Sequence, residues 1–382
     1  MTRRLFLASS SAFFLLGAGT VATPRPTKTA TQQLTDFLAQ LRVTLQAPGL
    51  SAAVFADGTL VFSGGVGVCD LETGTPQDGR TVYSIASISK TMTAVAVMQL
   101  VDAGKVSLDA PIQTYAPWFP QKQRPITVRQ LLTHTSGIRH YRDNEDSDSG
   151  QWMDAFRHYA TYEESTAFWR NDPLLFDPGT YWSYSTYGFS LLQAVVETAS
   201  GIDFETYLRD HIWTPAGLLA TQLDIMGRIV THRGQGYIRD DKTGELGRAR
   251  DEDSSYKYAA GGILSTDEDL CRFAWALDSG RLLKPSTAAQ MFSPQLPPTV
   301  KSYSEHDFDP AKEQAICWFR ETDAQGRTYV DHSGDNKGII SQLSNYWQQG
   351  VVVALHANVD PSPHLDAAAE RIADVYLSGS SS

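Results

Sequence analysis

Cysteine is scarce: Cys69, Cys271 and Cys317 are the three in 382 residues. That number excludes a disulfide scaffold, and an odd count leaves at least one thiol free or paired between chains. All three have apolar neighbours, which predicts buried thiols. No histidine near Cys69 in the sequence supports it as a nucleophile. Positive charge is also in short supply, with 32 Lys and Arg against 43 Asp and Glu and a net charge of -11. Phosphate backbones need a basic surface, so nucleic acid is excluded as a partner. The usual metal and phosphate signatures are missing. There is no Cys-x-x-Cys and no glycine-rich phosphate loop, and His134 and His140 stand six apart, not four as in a helical zinc pair. No metal site or cofactor is expected. Long apolar runs are absent beyond the N-terminus, so no membrane span is expected there.

The N-terminus itself reads as a leader. Arg3-Arg4 precede Leu5-Phe6-Leu7, an apolar stretch through Phe13, Phe14, Leu15 and Leu16, and then Thr20-Val21-Ala22. Charged, apolar and small residues in that order predict a signal peptide over 1–22. The twin arginine resembles the signal for export of folded proteins. An ordinary secretory signal gives the same destination, periplasmic or secreted. The apolar run is short for a retained anchor. Cleavage after Ala22 would leave 360 residues at about -13. A chain of that size exceeds what one core usually holds, so one catalytic unit of two subdomains sharing a cleft is expected.

Residues 23–31 are rich in Pro, Thr and Lys and read as a linker. Leu34, Phe37, Leu38, Leu41 and Leu45 follow helical spacing, stopped by Pro48-Gly49. Leu50–Ala56 and Thr59–Ser63 flank Asp57-Gly58, a hairpin signal. Residues 105–250 look mainly helical, with a Thr127–Gln130 capping box, a helix over Leu191–Ala199, and Ser265 with Glu268 capping another. Asn144–Gly150 is an acidic loop. Strands return at Tyr329-Val330, Ile339–Trp347 and Val351–His356, followed by a helix through Leu365, Ala369, Ile372, Ala373 and Tyr376. The pattern predicts an α+β fold. One antiparallel sheet would form from both ends of the chain, flanked by helices. The main domain would span 32–378, with an α/β part over about 32–104 and 255–378 and an inserted helical part over about 105–254.

The chemistry centres on Ser87-Ile88-Ser89-Lys90. Three residues make about one helical turn, so Ser87 and Lys90 share a face. A serine becomes nucleophilic when a neighbour takes its proton, and a buried lysine of lowered pKa can do so. Ser-x-x-Lys also arises by chance as a capping serine with an exposed lysine. The helix that follows argues otherwise: Met92, Val95, Ala96, Met98, Leu100 and Val101 make nearly every face apolar, which implies burial.

Tyr184 lies in a Pro178-Gly179 turn and aromatic run just before an apolar helix. A phenolate beside Lys90 would be stabilised and could act as general base. Tyr181, Trp182 and Tyr187 read as core. His332-Ser333-Gly334 precedes a strand. His332 at a cleft edge can bind a carboxylate or relay a proton, and Gly334 would let substrate backbone pair along the strand. The backbone N–H groups of Ser87 and Asp335 are candidate oxyanion donors. Lys242-Thr243-Gly244 reads as an exposed polar turn instead. Lys257 reads as a solvated lysine.

Taken together, these residues resemble the serine β-lactamase-like family of class C β-lactamases, D-alanyl-D-alanine carboxypeptidases and related peptidases and esterases. The likeness is strongest to the branch of the mitochondrial serine β-lactamase-like protein and its bacterial relatives. It covers about 35–378 and includes Leu131-Leu132-Thr133-His134-Thr135-Ser136-Gly137-Ile138-Arg139-His140-Tyr141, Tyr184-Ser185-Thr186 and Ser255-Tyr256-Lys257. The resemblance implies a β-lactamase/transpeptidase-like fold, Ser87 as acylated nucleophile, Lys90 as its activator and Tyr184 as base. His332, Ser333 and Gly334 would replace the family's Lys-Thr-Gly strand motif. Thr186 stands where many members have asparagine, and a hydroxyl reproduces only part of an amide's bonding. Both departures argue against an efficient β-lactamase.

The sequence therefore points to a serine hydrolase forming an acyl-enzyme, acting on peptide-like or small acyl substrates. A small-ester esterase or weak penicillin-binding enzyme is the alternative within the class. A non-catalytic binding or assembly protein is the alternative outside it. Homo-oligomerisation is compatible with all of these.

Overall fold

The computed structural model describes residues 28–142, 157–304, 313–336 and 338–378. The expected signal peptide, the first part of the linker and the 144–150 loop lie outside the described residues.

Helix α1 (Lys28–Leu45) begins inside the span expected to be linker, so that linker ends by residue 27. The strands β1 (Gly49–Ala56) and β2 (Thr59–Asp70) follow, with a short β3 (Thr75–Pro76). Asp57 and Gly58 both have positive φ, 47° and 77°. That is the two-residue turn whose twist suits a hairpin. Helix α2 (Ser89–Asp102) carries the serine–lysine motif at its start. The middle of the chain supplies short helices, among them α3 (Val128–Leu132), α4 (Thr186–Ser190) and α5 (Leu192–Ser200). Thr127 and Gln130 close the expected capping box on α3, and Gly201 ends α5 with φ 76°. Next come α6 (Asp267–Asp278), the strands β4 (Glu313–Gln314), β5 (Phe319–Thr322), β6 (Thr328–Asn336), β7 (Ile339–Tyr346) and β8 (Val351–Ala357), and α7 (Asp366–Leu377).

The cap of α6 is Thr266, whose hydroxyl accepts from the Asp269 N–H, not Ser265. Ser265 ends a short strand, and its hydroxyl bonds that of Thr221 at 2.8 Å.

Eight strands form one antiparallel sheet in the order β4-β5-β6-β7-β8-β1-β2-β3. Both ends of the chain build it, and β8 pairs directly with β1. Side chains on a strand alternate between faces, and here both faces are dry. Ala53 and Phe55 of β1 join Val352 and Ala354 of β8 in the core that contains α2 and α6. Leu50, Ala52 and Val54 join Val351, Val353 and Leu355 in the core under α1 and α7. Helix α2 lies in the first of these cores, where it packs on α5, while α6 covers β1 and β8. Met92, Ala94, Val95, Ala96, Val97 and Met98 are all buried, as a helix apolar on every side requires. The chain leaves the large sheet after β3 and re-enters at β4. We propose that the excursion over about 105–254 is a separate subdomain.

Candidate active site

Tyr83-Ser84 pairs with Leu264-Ser265 and leads into the motif. Ala86 then takes φ 42°, a left-handed conformation that non-glycine residues rarely adopt. The corner it makes opens a single tight turn, Ala86–Ile88, before α2. Within 81–90 every residue is buried except Ser87. The corner therefore brings one hydroxyl out of the core.

Lys90 is fully buried. Its Nζ lies 2.9 Å from Ser87 Oγ, 2.6 Å from the Ala260 carbonyl and 3.4 Å from Thr186 Oγ1. Burial lowers the amine from 10.5 to about 7; the Cys317 thiol opposes this, and nearby Lys257 acts in the same direction as burial. A neutral amine has two N–H bonds and one lone pair. The protonated amine donates to all three oxygens; once it is neutral, with the Ala260 oxygen and Thr186 hydroxyl taking its two N–H bonds, its lone pair would face the Ser87 hydroxyl.

Tyr184 approaches from the other side. Ser185 caps α4 through the Gly188 N–H, which ends the aromatic run and turns Tyr184 into the site. Its hydroxyl bonds the Ser87 hydroxyl, and Lys90 Nζ lies 4.9 Å from its ring centroid. Burial pushes the phenol above the ordinary tyrosine range, although the Ser87 bond opposes this. The electrostatics thus differ from the sequence expectation of a resting phenolate: the phenol keeps its proton and the lysine amine is the stronger candidate base.

The strand β6 forms the wall. Its pairing with β5 ends at Asp331, while pairing with β7 continues to Asn336. Among the described residues, the pairing with β5 thus stops one residue before His332. A Cβ at Gly334 would collide with the Ile85 carbonyl oxygen, two residues before Ser87. The glycine therefore lets β6 close against the serine turn. His332 is buried, and its Nδ1 lies 2.7 Å from the Ser333 carbonyl. Its charge would act on His134, which neighbours Lys90 and the Tyr184 ring. Ser333 and the exposed Asp335 alternate with Gly334 along the strand.

Ser87, Lys90, Tyr184 and Thr186 are thus brought together, with Gly334 against the same turn. Two expectations are corrected. Lys257 is buried, not solvated. Its Nζ pairs with Glu252 at 2.9 Å and bonds Asn336 Oδ1 at 3.3 Å, and Tyr256 donates to the same Glu252 at 2.5 Å. Tyr181 is 43% exposed, where it contacts Phe176 and Tyr303 in a surface aromatic cluster. Trp182 and Tyr187 are core as expected. Lys242 lies on the exposed turn closed by Asp240, which accepts from the Lys242 and Thr243 N–H groups. All three cysteines are free and buried. Cys317 lies close enough to Lys90 for burial of its thiol to matter to the site, and burial pushes that thiol up. Sequence reasoning missed the roles of His134 and His140, which accept backbone N–H groups beside Tyr184.

No helix among the described residues is long and apolar enough to cross a membrane. The chain is 30% identical to the mitochondrial serine beta-lactamase-like protein LACTB of Mus musculus, over 86% of this chain and 75% of that protein. A D-stereospecific amidohydrolase from Streptomyces sp. is similar in structure, with TM-score 0.76 and 24% identity, covering 93% of this chain and 100% of that one. The octameric penicillin-binding protein homologue from Pyrococcus abyssi has TM-score 0.74 and 24% identity, over 91% of this chain and 76% of that one. At such identities these two structures speak for the fold alone. The model of the Beta-lactamase family matches residues 34–377. That stretch runs from within α1 to the end of α7 and includes both contributions to the sheet and the whole serine–lysine–tyrosine cluster, so this chain belongs to the Beta-lactamase family.

Proposed function

We propose that the protein is a serine hydrolase that acylates Ser87 and acts on peptide-like amides. The observation that carries this reading is the 2.9 Å approach of a buried amine, lowered to about 7, to a half-exposed serine. Lys90 takes the Ser87 proton as Oγ bonds the substrate carbonyl carbon. The resulting oxyanion is held by the N–H groups of Ser87 and Asp335. Tyr184 donates its phenolic proton to the leaving nitrogen and recovers one from Lys90. The C–N bond breaks, the amine departs, and the acyl group stays on Ser87 as an ester. A water then gives its proton to the same pair and attacks the ester. Ser87 leaves with a proton and the cycle closes.

Three features support an extended amide substrate. Among the described residues the β5 pairing of β6 stops at Asp331, which suits strand-like pairing by an extended chain further along β6. Gly334 keeps that edge close to Ser87. His332 directs its Nδ1 to the Ser333 carbonyl and stands where a lysine would grip a carboxylate, so the grip on a β-lactam or C-terminal carboxylate is weaker and pH-dependent. We further infer export through residues 1–22, and self-association like that of the octameric archaeal homologue.

The test is intact-mass analysis after fluorophosphonate treatment, with Ser87→Ala alongside, followed by catalytic efficiencies on matched peptide amides and esters. One adduct per chain, lost in Ser87→Ala, is expected. Full hydrolysis by Ser87→Ala, or no adduct on folded wild-type protein, would refute the reading. Efficient cleavage of esters alone would move the substrate class to esters.

A further inference from the structure

Two histidines outside the serine–lysine–tyrosine set enclose Tyr184. Both come from the segment after α3. His134 Nδ1 accepts the Ser185 N–H at 3.2 Å, and His140 Nδ1 accepts the Thr186 N–H at 3.2 Å. Those are the two residues immediately after Tyr184. The imidazoles also touch the phenol ring itself. The His134 ring lies 4.4 Å from it, tilted by 32°, and the His140 ring meets it edge-on at 5.4 Å and 89°. The same segment holds the turn from behind: the Ser183 N–H donates to the His134 carbonyl at 2.9 Å and Ser185 Oγ donates to the Arg139 carbonyl at 2.9 Å.

A ring nitrogen accepts a hydrogen bond only when it carries no proton. Both rings are therefore neutral, with the proton on Nε2. Burial and then Lys90 hold both below the ordinary histidine range, His140 at about 3. A neutral ring can press against the phenol without placing a cation beside the Lys90 amine.

We propose that His134 and His140 are positioning residues for acylation, fixing the Tyr184 hydroxyl on Ser87 by clamping its ring and tying the two peptide N–H groups that follow it. The proposal rests on Tyr184 serving the acylation step described above. Neither histidine needs to touch substrate. Both act through the direction of one O–H bond, and misplacement of such a group by about 1 Å costs roughly 100-fold in rate.

The test separates ring from acceptor. His140→Phe keeps a ring and removes the acceptor, whereas His140→Asn places an amide oxygen near the Nδ1 position. The same pair is made at His134. The readouts are the rate of Ser87 labelling by a fluorophosphonate, kcat and KM on a p-nitrophenyl ester, and thermal melting. We expect His140→Phe to lose about 10- to 100-fold in labelling rate and kcat with KM little changed, while His140→Asn keeps most of the rate. His140→Ala removes ring and acceptor together; it should lose labelling rate in the Tyr184 protein but cost nothing further in a Tyr184→Phe background, where there is no hydroxyl to aim. That arm decides the matter if His140→Phe does not fold. Wild-type labelling rates in folded His140→Phe and His134→Phe would overturn the proposal. So would equal losses in the Phe and Asn variants, or an undiminished loss in the Tyr184→Phe background. Failure of wild-type protein to label at all would instead refute the Ser87 chemistry.

Discussion

Replacing Lys90 by methionine should make the protein inactive and, at mildly acid pH, more stable. The unfolded chain holds the Lys90 proton up to about 10.5, but the folded chain releases it near 7. Between those values the unfolded state binds more protons, so wild-type stability rises with pH across that window. Below it, the charged amine costs the fold roughly 5 kcal/mol by this difference alone. Methionine removes that cost but leaves the Ala260 carbonyl without its 2.6 Å donor, a loss of about 1–3 kcal/mol. The variant should therefore exceed wild type by about 2–4 kcal/mol at pH 6 and lose that advantage by pH 10. Urea unfolding of both proteins at the two pH values measures this. Acylation gives the second arm. The neutral amine is about a tenth of the total at pH 6 and about nine-tenths at pH 8, so the wild-type Ser87 labelling rate should rise about tenfold between them. In Lys90→Met it should fall about 100- to 10,000-fold and lose that pH dependence. A flat wild-type profile from pH 6 to 8, or a methionine variant less stable than wild type at pH 6, would refute the buried neutral amine.

Three further changes test the frame around it. Glu252→Gln leaves Lys257 as an uncompensated buried cation and should cost about 3–5 kcal/mol in urea unfolding, much of it recovered in the Glu252→Gln/Lys257→Met double variant. Burial pushes the Asp278 carboxyl up to about 7 against the amide of Asn345. The folded chain then holds more protons from about pH 4 to 7, so stability falls with pH there, and Asp278→Asn should stabilise by about 2–4 kcal/mol at pH 8 and hardly at pH 4. Gly334→Ala drives a methyl into the Ile85 carbonyl. It should cost about 1–3 kcal/mol by thermal melting and slow Ser87 labelling, because the atom it displaces belongs to the serine turn.

The features legible in the sequence were those encoded by short-range pattern. The Asp57-Gly58 turn, the strands β7 and β8, and the closing helix each follow from local periodicity and turn chemistry, and the sheet built from both termini follows from their placement. Ser87 and Lys90 were legible because one helical turn fixes their spacing. What was missed depends on partners far along the chain or on backbone atoms. The start of α1 and the Thr266 cap differ from expectation by a few residues or one, since neighbouring Ser and Thr are equally able to cap. Tyr181 looked like core by composition, yet its partner Tyr303 lies in a different segment at the surface. His134 and His140 failed a side-chain metal pattern, and their real partners are peptide N–H groups that no pattern of side chains encodes.

Lysines 90 and 257 show most clearly why residue type alone could not assign roles. Both are buried, and both lie beside the serine turn. Lys257 has a carboxylate, Glu252, at 2.9 Å, so its charge is matched within the fold. Lys90, among the described residues, has a carbonyl and two hydroxyls as partners but no carboxylate. Burial is therefore the largest influence on the Lys90 amine and lowers it to about 7; the Cys317 thiol opposes this and the nearby Lys257 acts with it. Under the proposed mechanism, the difference between the two amines follows from where the carboxylate stands, at Glu252, five residues before Lys257, and not from residue type.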